Sequence, residues 1–251
     1  MCLVAVAWRA HDSCPLIVAG NRDEFHERPS APAAWWDDVP QVFGGRDLVA
    51  GGSWLAVSRS GRFAVVANNP RRPPGPDRPA SRGQLVRDFV AGDRPSGRFL
   101  DTVQVNEERY AGFCLLAGTR VQVRGFISPR GAHPVRWTLP AGVSVISNSP
   151  LESPWPKVAY LENAMRDALS GTGVDREMLF SALSRREPVA VDEGQANAVS
   201  RTPFIVGERY GTRATTLVTM DATGRCEFEE RRFDAAGCPA GTVRERFDIE
   251  G

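Results

Sequence analysis

Short apolar runs of strand length dominate the first third of the chain. They predict strands at residues 3–8, 15–20, 48–58 and 62–68. The polar stretch at 11–15 predicts a hairpin connection between the first two strands. Ser58-Arg59-Ser60-Gly61 is typical of a second tight turn.

The rest of the chain alternates between helical and strand-like patterns. Helices are predicted where apolar residues recur at helical spacing, at 82–90, 99–110, 157–169 and 176–183. Further strands are predicted at 113–117, 121–126, 143–147, 214–221 and 226–233, and a proline-rich loop at 70–79. Runs of strands separated by helices favour an α+β layered fold, and the pattern shows no boundary, so we expect a single domain over residues 1–251.

Composition and charge exclude several classes of protein. The 251 residues include 31 basic and 30 acidic side chains, a net charge of +1, which argues against a nucleic-acid partner. Five cysteines without a CxxC pair argue against a disulfide framework and a zinc site. Neither a signal peptide nor a stretch long enough to span a membrane is evident, so we expect a cytoplasmic protein with reduced thiols.

Common cofactor motifs are also missing from the sequence. It contains no GxGxxG and no GxxxxGK[ST], and its three histidines lack metal-ligand spacing, so neither a cofactor nor a metal is expected.

Lys157 is the single lysine among the basic residues. We interpret the excess of arginine as a bias of genomic base composition.

Cys2 is the first candidate catalytic residue. Removal of Met1 would leave Cys2 with both a thiol and a free α-amino group, and the amine could act as the base for the thiol near neutral pH. The alternative is a small apolar side chain that opens a strand without a chemical role.

A second candidate cluster is Asn21-Arg22-Asp23-Glu24-Phe25, which follows the predicted strand at 16–20. A hairpin of strands 3–8 and 16–20 would return this cluster to the end of the sheet at which Cys2 begins. Arg22 or Asp23 could then orient the α-amine or hold a substrate carboxylate. A solvated turn is the alternative interpretation.

Two asparagines and one arginine at strand ends complete the candidates. Asn68 and Asn148 could each donate from a side-chain amide to an oxyanion, or could cap a turn before proline. Arg213 precedes another predicted strand and has the same ambiguity.

Together these residues resemble the NRDE-motif family, also called the transport and Golgi organisation protein 2 family. The resemblance covers nearly the whole chain, and its motifs occur in family order: Met1-Cys2-Leu3, Asn21-Arg22-Asp23-Glu24-Phe25, Gly45-Arg46-Asp47, Gly51-Gly52-Ser53-Trp54-Leu55, Ser147-Asn148-Ser149, Pro154-Trp155-Pro156-Lys157 and Tyr210-Gly211-Thr212-Arg213.

The family in turn is similar to N-terminal-nucleophile hydrolases of the penicillin acylase and bile-salt hydrolase group. The resemblance implies a four-layer αββα sandwich and a cysteine amidohydrolase acting on a small linear amide or acyl substrate. The site residues that it implies are Cys2, Arg22, Asp23, Asn68, Asn148 and Arg213. Arg22 and Asp23 are adjacent here, whereas the amidohydrolases separate them by two residues, and neighbours on an extended chain point to opposite faces.

The resemblance also implies an alternative function. Animal members of the family have been linked to Golgi organisation, lipid metabolism and movement of haem. A non-catalytic carrier for a haem-like or lipid-like molecule is therefore a second hypothesis, with Trp35, Trp36 and Trp54 as candidates for lining an apolar pocket or for the core.

Overall fold

The computed structural model describes residues 2–69, 79–128, 133–148, 155–189 and 201–250. Contacts divide the chain into two compact units. The first unit contains Met1–Glu27 and Ala141–Arg246, and the second contains Arg28–Pro140 and Phe247–Gly251. A single domain over residues 1–251 stays a prediction.

Strands outnumber helices in the described part of the chain. In chain order the elements are β1 (Cys2–Trp8), β2 (Leu16–Phe25), β3 (Ser30–Trp36), β4 (Val39–Asp47), β5 (Leu55–Ser58), β6 (Phe63–Asn68), α1 (Arg82–Ala91), α2 (Ser96–Val105), β7 (Phe113–Gly118), β8 (Val123–Ile127), β9 (Val135–Thr138), β10 (Gly142–Ser147), α3 (Pro156–Ala168), α4 (Arg176–Leu183), β11 (Tyr210–Met220), β12 (Arg225–Phe233) and β13 (Pro239–Asp248). A short 3₁₀ turn, Glu107–Arg109, follows α2.

The first unit contains a six-stranded sheet in the order β10-β1-β2-β11-β12-β13. β1 lies between β10 and β2, and β2 lies between β1 and β11, with antiparallel pairing throughout these four strands. Leu3, Ala5, Ile17 and Leu217 on one face of the sheet form an apolar cluster with buried residues of α3 and α4. The helices therefore cover this face, and residues of opposite parity on β1 and β2 lie on the other face.

The second unit contains an antiparallel seven-stranded sheet in the order β3-β4-β5-β6-β7-β8-β9. Its core joins sheet residues such as Phe113 and Phe126 to buried residues of α1 and α2. α1 begins after Ser81, whose hydroxyl accepts from the Gly83 N–H, a standard N-cap contact.

Most predicted elements occur, with one difference at the candidate site. We expected the cluster 21–25 to follow its strand, but β2 runs on to Phe25. The extension is stable because the polar residues pair in register with β11, where Asp23 is opposite Thr212 and Phe25 is opposite Tyr210.

The strand predicted at 48–58 is wrong in its first half. The chain turns after Asp47, whose side chain accepts from the Val49 N–H, and Gly51 adopts a left-handed φ of 69°. Only Leu55–Ser58 is strand. The predicted loop at 70–79 lies outside the described residues except for Pro79.

Four strands were not predicted: β4, which lies between β3 and β5 inside its sheet, and β3, β9 and β13, each at the edge of a sheet. β3 contains Pro32, which an edge strand tolerates because one side of its backbone needs no ladder partner. β9 is only four residues long, and β13 is rich in charged residues. Within the described part of the chain, no helix is long and apolar enough to cross a membrane.

Candidate active site

Cys2 lies in a row of side chains that crosses four strands of the six-stranded sheet. It pairs with Arg22, Arg22 pairs with Ala214, and Ala214 pairs with Arg232. On the other side, Leu3 pairs with Ser147, so Asn148 directly follows β10 at the position opposite Cys2. Directly paired residues share a face. Cys2 and Arg22 therefore lie together on the face opposite α3 and α4.

Asn21 and Asp23 project toward the helix-covered face. The Asn21 amide donates to the carbonyl oxygen of Leu183 at the end of α4 (2.8 Å) and accepts from the Thr215 hydroxyl (2.6 Å). The Asp23 carboxylate accepts from the Thr212 hydroxyl (2.7 Å). The alternation expected for Arg22 and Asp23 is thus present.

The segment at 202–205 is held by the same polar cluster. Asn21 donates to the Pro203 carbonyl oxygen (3.1 Å), and the Ile205 N–H donates to the Thr212 hydroxyl oxygen (2.9 Å). Thr212 therefore links this segment to Asp23. The buried Lys157 ammonium donates to the Thr202 carbonyl oxygen (3.5 Å).

The Cys2 thiol is buried, and burial raises its pKa. The nearby Asp23 carboxylate raises it further, whereas the Arg22 guanidinium lowers it. Burial also raises the pKa of Asp23, an effect opposed by the positive charge at the amino terminus, by Lys157 and by the Thr212 hydrogen bond. Although Arg22 and Asp23 lie on opposite faces, the charges of both act on the thiol because Cys2 is at the end of its strand.

Arginines gather on the Cys2 side of this sheet end. Arg213 occupies a bulge in β11 between Thr212 and Ala214, and its Nη1 donates to the His26 carbonyl oxygen (2.9 Å). Burial lowers the pKa of Arg213, and the positive charges of Arg22 and Arg232 lower it further. The Arg22 guanidinium lies 3.6 Å from the Glu24 carboxylate.

Three polar atoms at this end of the sheet are buried without a hydrogen-bond partner among the described residues. They are Nη1 of Arg22, Nε of Arg213 and Oδ1 of Asn148. Buried polar groups in proteins are rarely left unsatisfied, so these atoms are suited to binding a polar ligand.

The structure therefore brings five of the six predicted site residues to one end of the first unit: Cys2, Arg22, Asp23, Asn148 and Arg213. Asn68 ends β6 in the second unit, where it pairs with Phe113. Sequence reasoning did not include Lys157, Thr212 or Tyr210 among the site residues. The Tyr210 hydroxyl donates to the Asp23 carbonyl oxygen (2.9 Å). All three lie within the motifs of the family resemblance, Pro154-Trp155-Pro156-Lys157 and Tyr210-Gly211-Thr212-Arg213.

The three candidate pocket tryptophans of the carrier hypothesis differ in burial: Trp36 and Trp54 are buried, and Trp35 is half-buried. Trp36 is part of the core of the second unit, and its indole donates to the Gly44 carbonyl oxygen (2.9 Å). Trp35 packs against Phe43, and Arg59 lies over its ring. The carrier hypothesis stays a prediction.

Comparison with solved structures identifies the class of fold. The chain matches a C2A mutant of conjugated bile acid hydrolase from Clostridium perfringens with a TM-score of 0.56 and 7% identity, over 99% of this chain and 92% of that one. It matches the Caenorhabditis elegans ortholog of N-acylethanolamine-hydrolyzing acid amidase with a TM-score of 0.50 and 9% identity, over 86% and 91%. The fold is the α+β, αββα type of the N-terminal-nucleophile hydrolases, as predicted.

Sequence comparison identifies the family within that class. The family model described as Transport and Golgi organisation 2 matches residues 1–235, and the chain belongs to this family. Relatives include the transport and Golgi organization protein 2 homologs of Bos taurus, at 32% identity, and Mus musculus, at 30%. Each alignment covers 86% of both chains.

Proposed function

We propose that this protein is a cysteine amidohydrolase that uses Cys2 to cleave a small linear amide or acyl substrate. The observation that carries the proposal is the row in which Cys2 has Arg22 on one neighbouring strand and Asn148 at the end of the other. Nucleophile and cation are thereby held by paired backbone, and the side-chain amide belongs to the residue that directly follows a paired strand.

The reaction begins with loss of Met1, which frees the α-amino group of Cys2. This amine accepts the thiol proton, and the sulfur attacks the substrate carbonyl carbon. An N–H of the Asn148 amide donates to the oxyanion. The protonated amine then gives its proton to the leaving nitrogen, the C–N bond breaks, and a thioester remains on Cys2. Water hydrolyses the thioester to release the acid and restore the thiol.

The negative and positive charges at this end of the sheet have separate roles in this scheme. Asp23, on the helix side, orients the α-amino group by accepting from it. Arg22 and Arg213 stabilise negative charge on the other side, because a guanidinium with a buried, unpaired N–H binds oxyanions and carboxylates well.

The comparisons support the proposal at the level of fold. The two solved structures reported above are named for a bile acid hydrolase and an amide-hydrolysing enzyme, and the first of them was solved with its Cys2 replaced by alanine. We further propose that the protein acts in the cytoplasm, where its five cysteines would stay reduced.

The first test is the state of the amino terminus and its reactivity. Intact-mass analysis of protein made in cells should show loss of Met1. A thiol-reactive amide probe should label the wild type and the Cys238→Ala variant equally, because Cys238 is an exposed thiol without these neighbours. Labelling of Cys2→Ala should fall at least tenfold.

Two outcomes would contradict the proposal. Retention of Met1 would leave Cys2 without a free α-amine, and equal labelling of Cys2→Ala and wild type would place the reactivity elsewhere. A Soret band on titration of the wild type with haem would instead favour the carrier hypothesis.

A further inference from the structure

The single lysine of the chain occupies a position that is energetically unfavourable for a charged side chain. The other 30 basic residues are arginines, yet Lys157 is 1% exposed in the first turn of α3. Burial disfavours an ammonium ion, and the amino-terminal end of a helix carries partial positive charge, which disfavours a cation further. A position with both costs needs a compensating interaction.

The uncharged contacts of Lys157 supply little compensation. Its ammonium donates to the Thr202 carbonyl oxygen at 3.5 Å, a long hydrogen bond, and lies 5.2 Å from the centre of the Trp155 ring. Within the described part of the chain, the remaining compensation comes from ionisable groups of the sheet.

Among the described residues, two ionisable groups of the sheet act on Lys157: Asp23 on β2 and Cys2 on β1. Burial lowers the pKa of the lysine, and the charges of these two groups oppose that lowering. β10, which also packs on α3, has no ionisable side chain. On α4, Arg176 pairs with glutamates of β12, and Glu177 pairs with Arg231.

We infer that Lys157 is a positioning residue: together with the amino terminus it supplies positive charge that favours the ionised form of Asp23 at the end of the sheet where Cys2 begins. Lys157 and Asp23 are joined to the same segment, since Lys157 bonds Thr202 directly and Asp23 bonds Thr212, which accepts from Ile205. An ammonium on a flexible stem is compact enough for this enclosed position, whereas a planar guanidinium requires more room and more acceptors.

The inference deepens the proposed function and rests on it for its chemical meaning. In the amidohydrolase scheme, an ionised Asp23 accepts a hydrogen bond from the α-amino group of Cys2. A neutral Asp23 would be a poorer acceptor, and the amine would lose its orientation. Lys157 thus acts through Asp23 and does not touch the substrate.

The composition of the chain makes a direct test possible. Because there is only one lysine, protein grown with ¹³Cε-lysine gives a single lysine resonance, whose titration by NMR reports Lys157 alone. Replacing Asp23 by Asn removes the negative charge while keeping side-chain size. The Lys157 titration midpoint should then fall by at least one pH unit. The control Asp221→Asn, in the β11–β12 turn, should leave it unchanged.

Two further measurements test the pair of Lys157 and Asp23, one in the wild type without substitution and one at Cys2. In wild-type protein the lysine resonance should show an additional step in the acid range as Asp23 takes up a proton. Lys157→Met should change the pH profile of Cys2 alkylation, followed by mass spectrometry, and Lys157→Met combined with Asp23→Asn should match Asp23→Asn alone.

Outcomes that overturn the inference are distinct from those that overturn the proposed function. An unchanged lysine midpoint in Asp23→Asn, or a single wild-type step, would show that the two charges are not coupled. An equal effect of Lys157→Met with and without Asp23 would show that the lysine does not act through the carboxylate. Since neither measurement needs a substrate, coupling can be found even if no amide is cleaved.

Discussion

The four residues of the N-R-D-E sequence have four different contacts. Asn21 anchors α4 and the segment at 202–205, and Arg22 lies beside Cys2. Asp23 is bonded by Thr212, while Glu24 accepts from the Phe25 N–H and lies near Arg22. Strand alternation therefore places Asn21 and Asp23 on the helix face and Arg22 and Glu24 on the Cys2 face.

Thr212 and Thr216 allow a matched test of this hydrogen-bond network. Both are buried threonines on β11, but Thr212 bridges Asp23 and Ile205, whereas the Thr216 hydroxyl oxygen has no partner among the described residues. Thr212→Val should lower the free energy of unfolding by about 1–3 kcal/mol, because it leaves a buried carboxylate and an N–H without their partner.

Thr216→Val should be neutral or stabilising, because it removes a buried hydroxyl that gains nothing from the fold. Urea denaturation of both variants provides the comparison. Equal destabilisation by the two substitutions would mean that the Thr212 bridge contributes nothing beyond packing.

At the scale of elements, close backbone approach explains part of the Gly51-Gly52-Ser53-Trp54-Leu55 motif. A Cβ added at Gly52 would lie 2.3 Å from the carbonyl carbon of Gly83 in the first turn of α1. The Ser53 N–H donates to the Gly83 carbonyl oxygen at 3.2 Å in the same contact. The glycine therefore lets the start of α1 dock against the loop before β5.

Gly52→Ala should lower the midpoint of urea unfolding, because backbone on both sides cannot move aside for the methyl group. We expect a loss of about 2–3 kcal/mol. Gly173→Ala is the control, since a Cβ at Gly173 would have no neighbour within 4 Å among the described residues. A Gly52→Ala variant as stable as Gly173→Ala would contradict this account.

Elements with local signals could be predicted, and elements that depend on distant partners could not. α1 has an N-cap serine and helical spacing, and α3 has a proline at its start, so both were identified from the sequence. The strand character of Asn21–Phe25 comes from β11, nearly 190 residues away, and no local pattern reveals that pairing.

The candidate site shows the same division between local and distant information. Cys2 and the charged cluster could be brought together from one hairpin. Lys157 could not, because its proximity to Asp23 depends on how α3 packs on the sheet. The arginine bias made Lys157 visible in the sequence, but base composition alone gave no reason to connect it with Cys2.

At the scale of the whole molecule, charge pairing rather than net charge governs the response to acid. Glu229 is buried and accepts from Arg176, Arg231 and Arg244. Burial by itself would raise the pKa of Glu229, but the arginines outweigh it and the pKa is lowered. Stability from this group is therefore present above the unfolded-state pKa of about 4.3 and is lost as pH falls through the lower folded-state value.

Glu229→Gln should cost about 2 kcal/mol at pH 7 and less as the pH falls below about 4.3, because the wild type loses the same charge there. The measurement is urea denaturation between pH 3 and 7. Glu162→Gln, which removes an exposed pair with Arg166, should have little effect at any pH. A constant difference between Glu229→Gln and wild type across the range would rule out the charge as its cause.

The central position of β1 has a practical consequence for handling the protein. Since Cys2 is the first residue of a strand paired on both sides, a peptide fused ahead of it would occupy the sheet end next to Arg22 and Asn148. An affinity tag at the amino terminus would then hide the very group to be studied and supply a secondary amide in place of a free amine. A tag at the carboxyl terminus leaves that group unmodified.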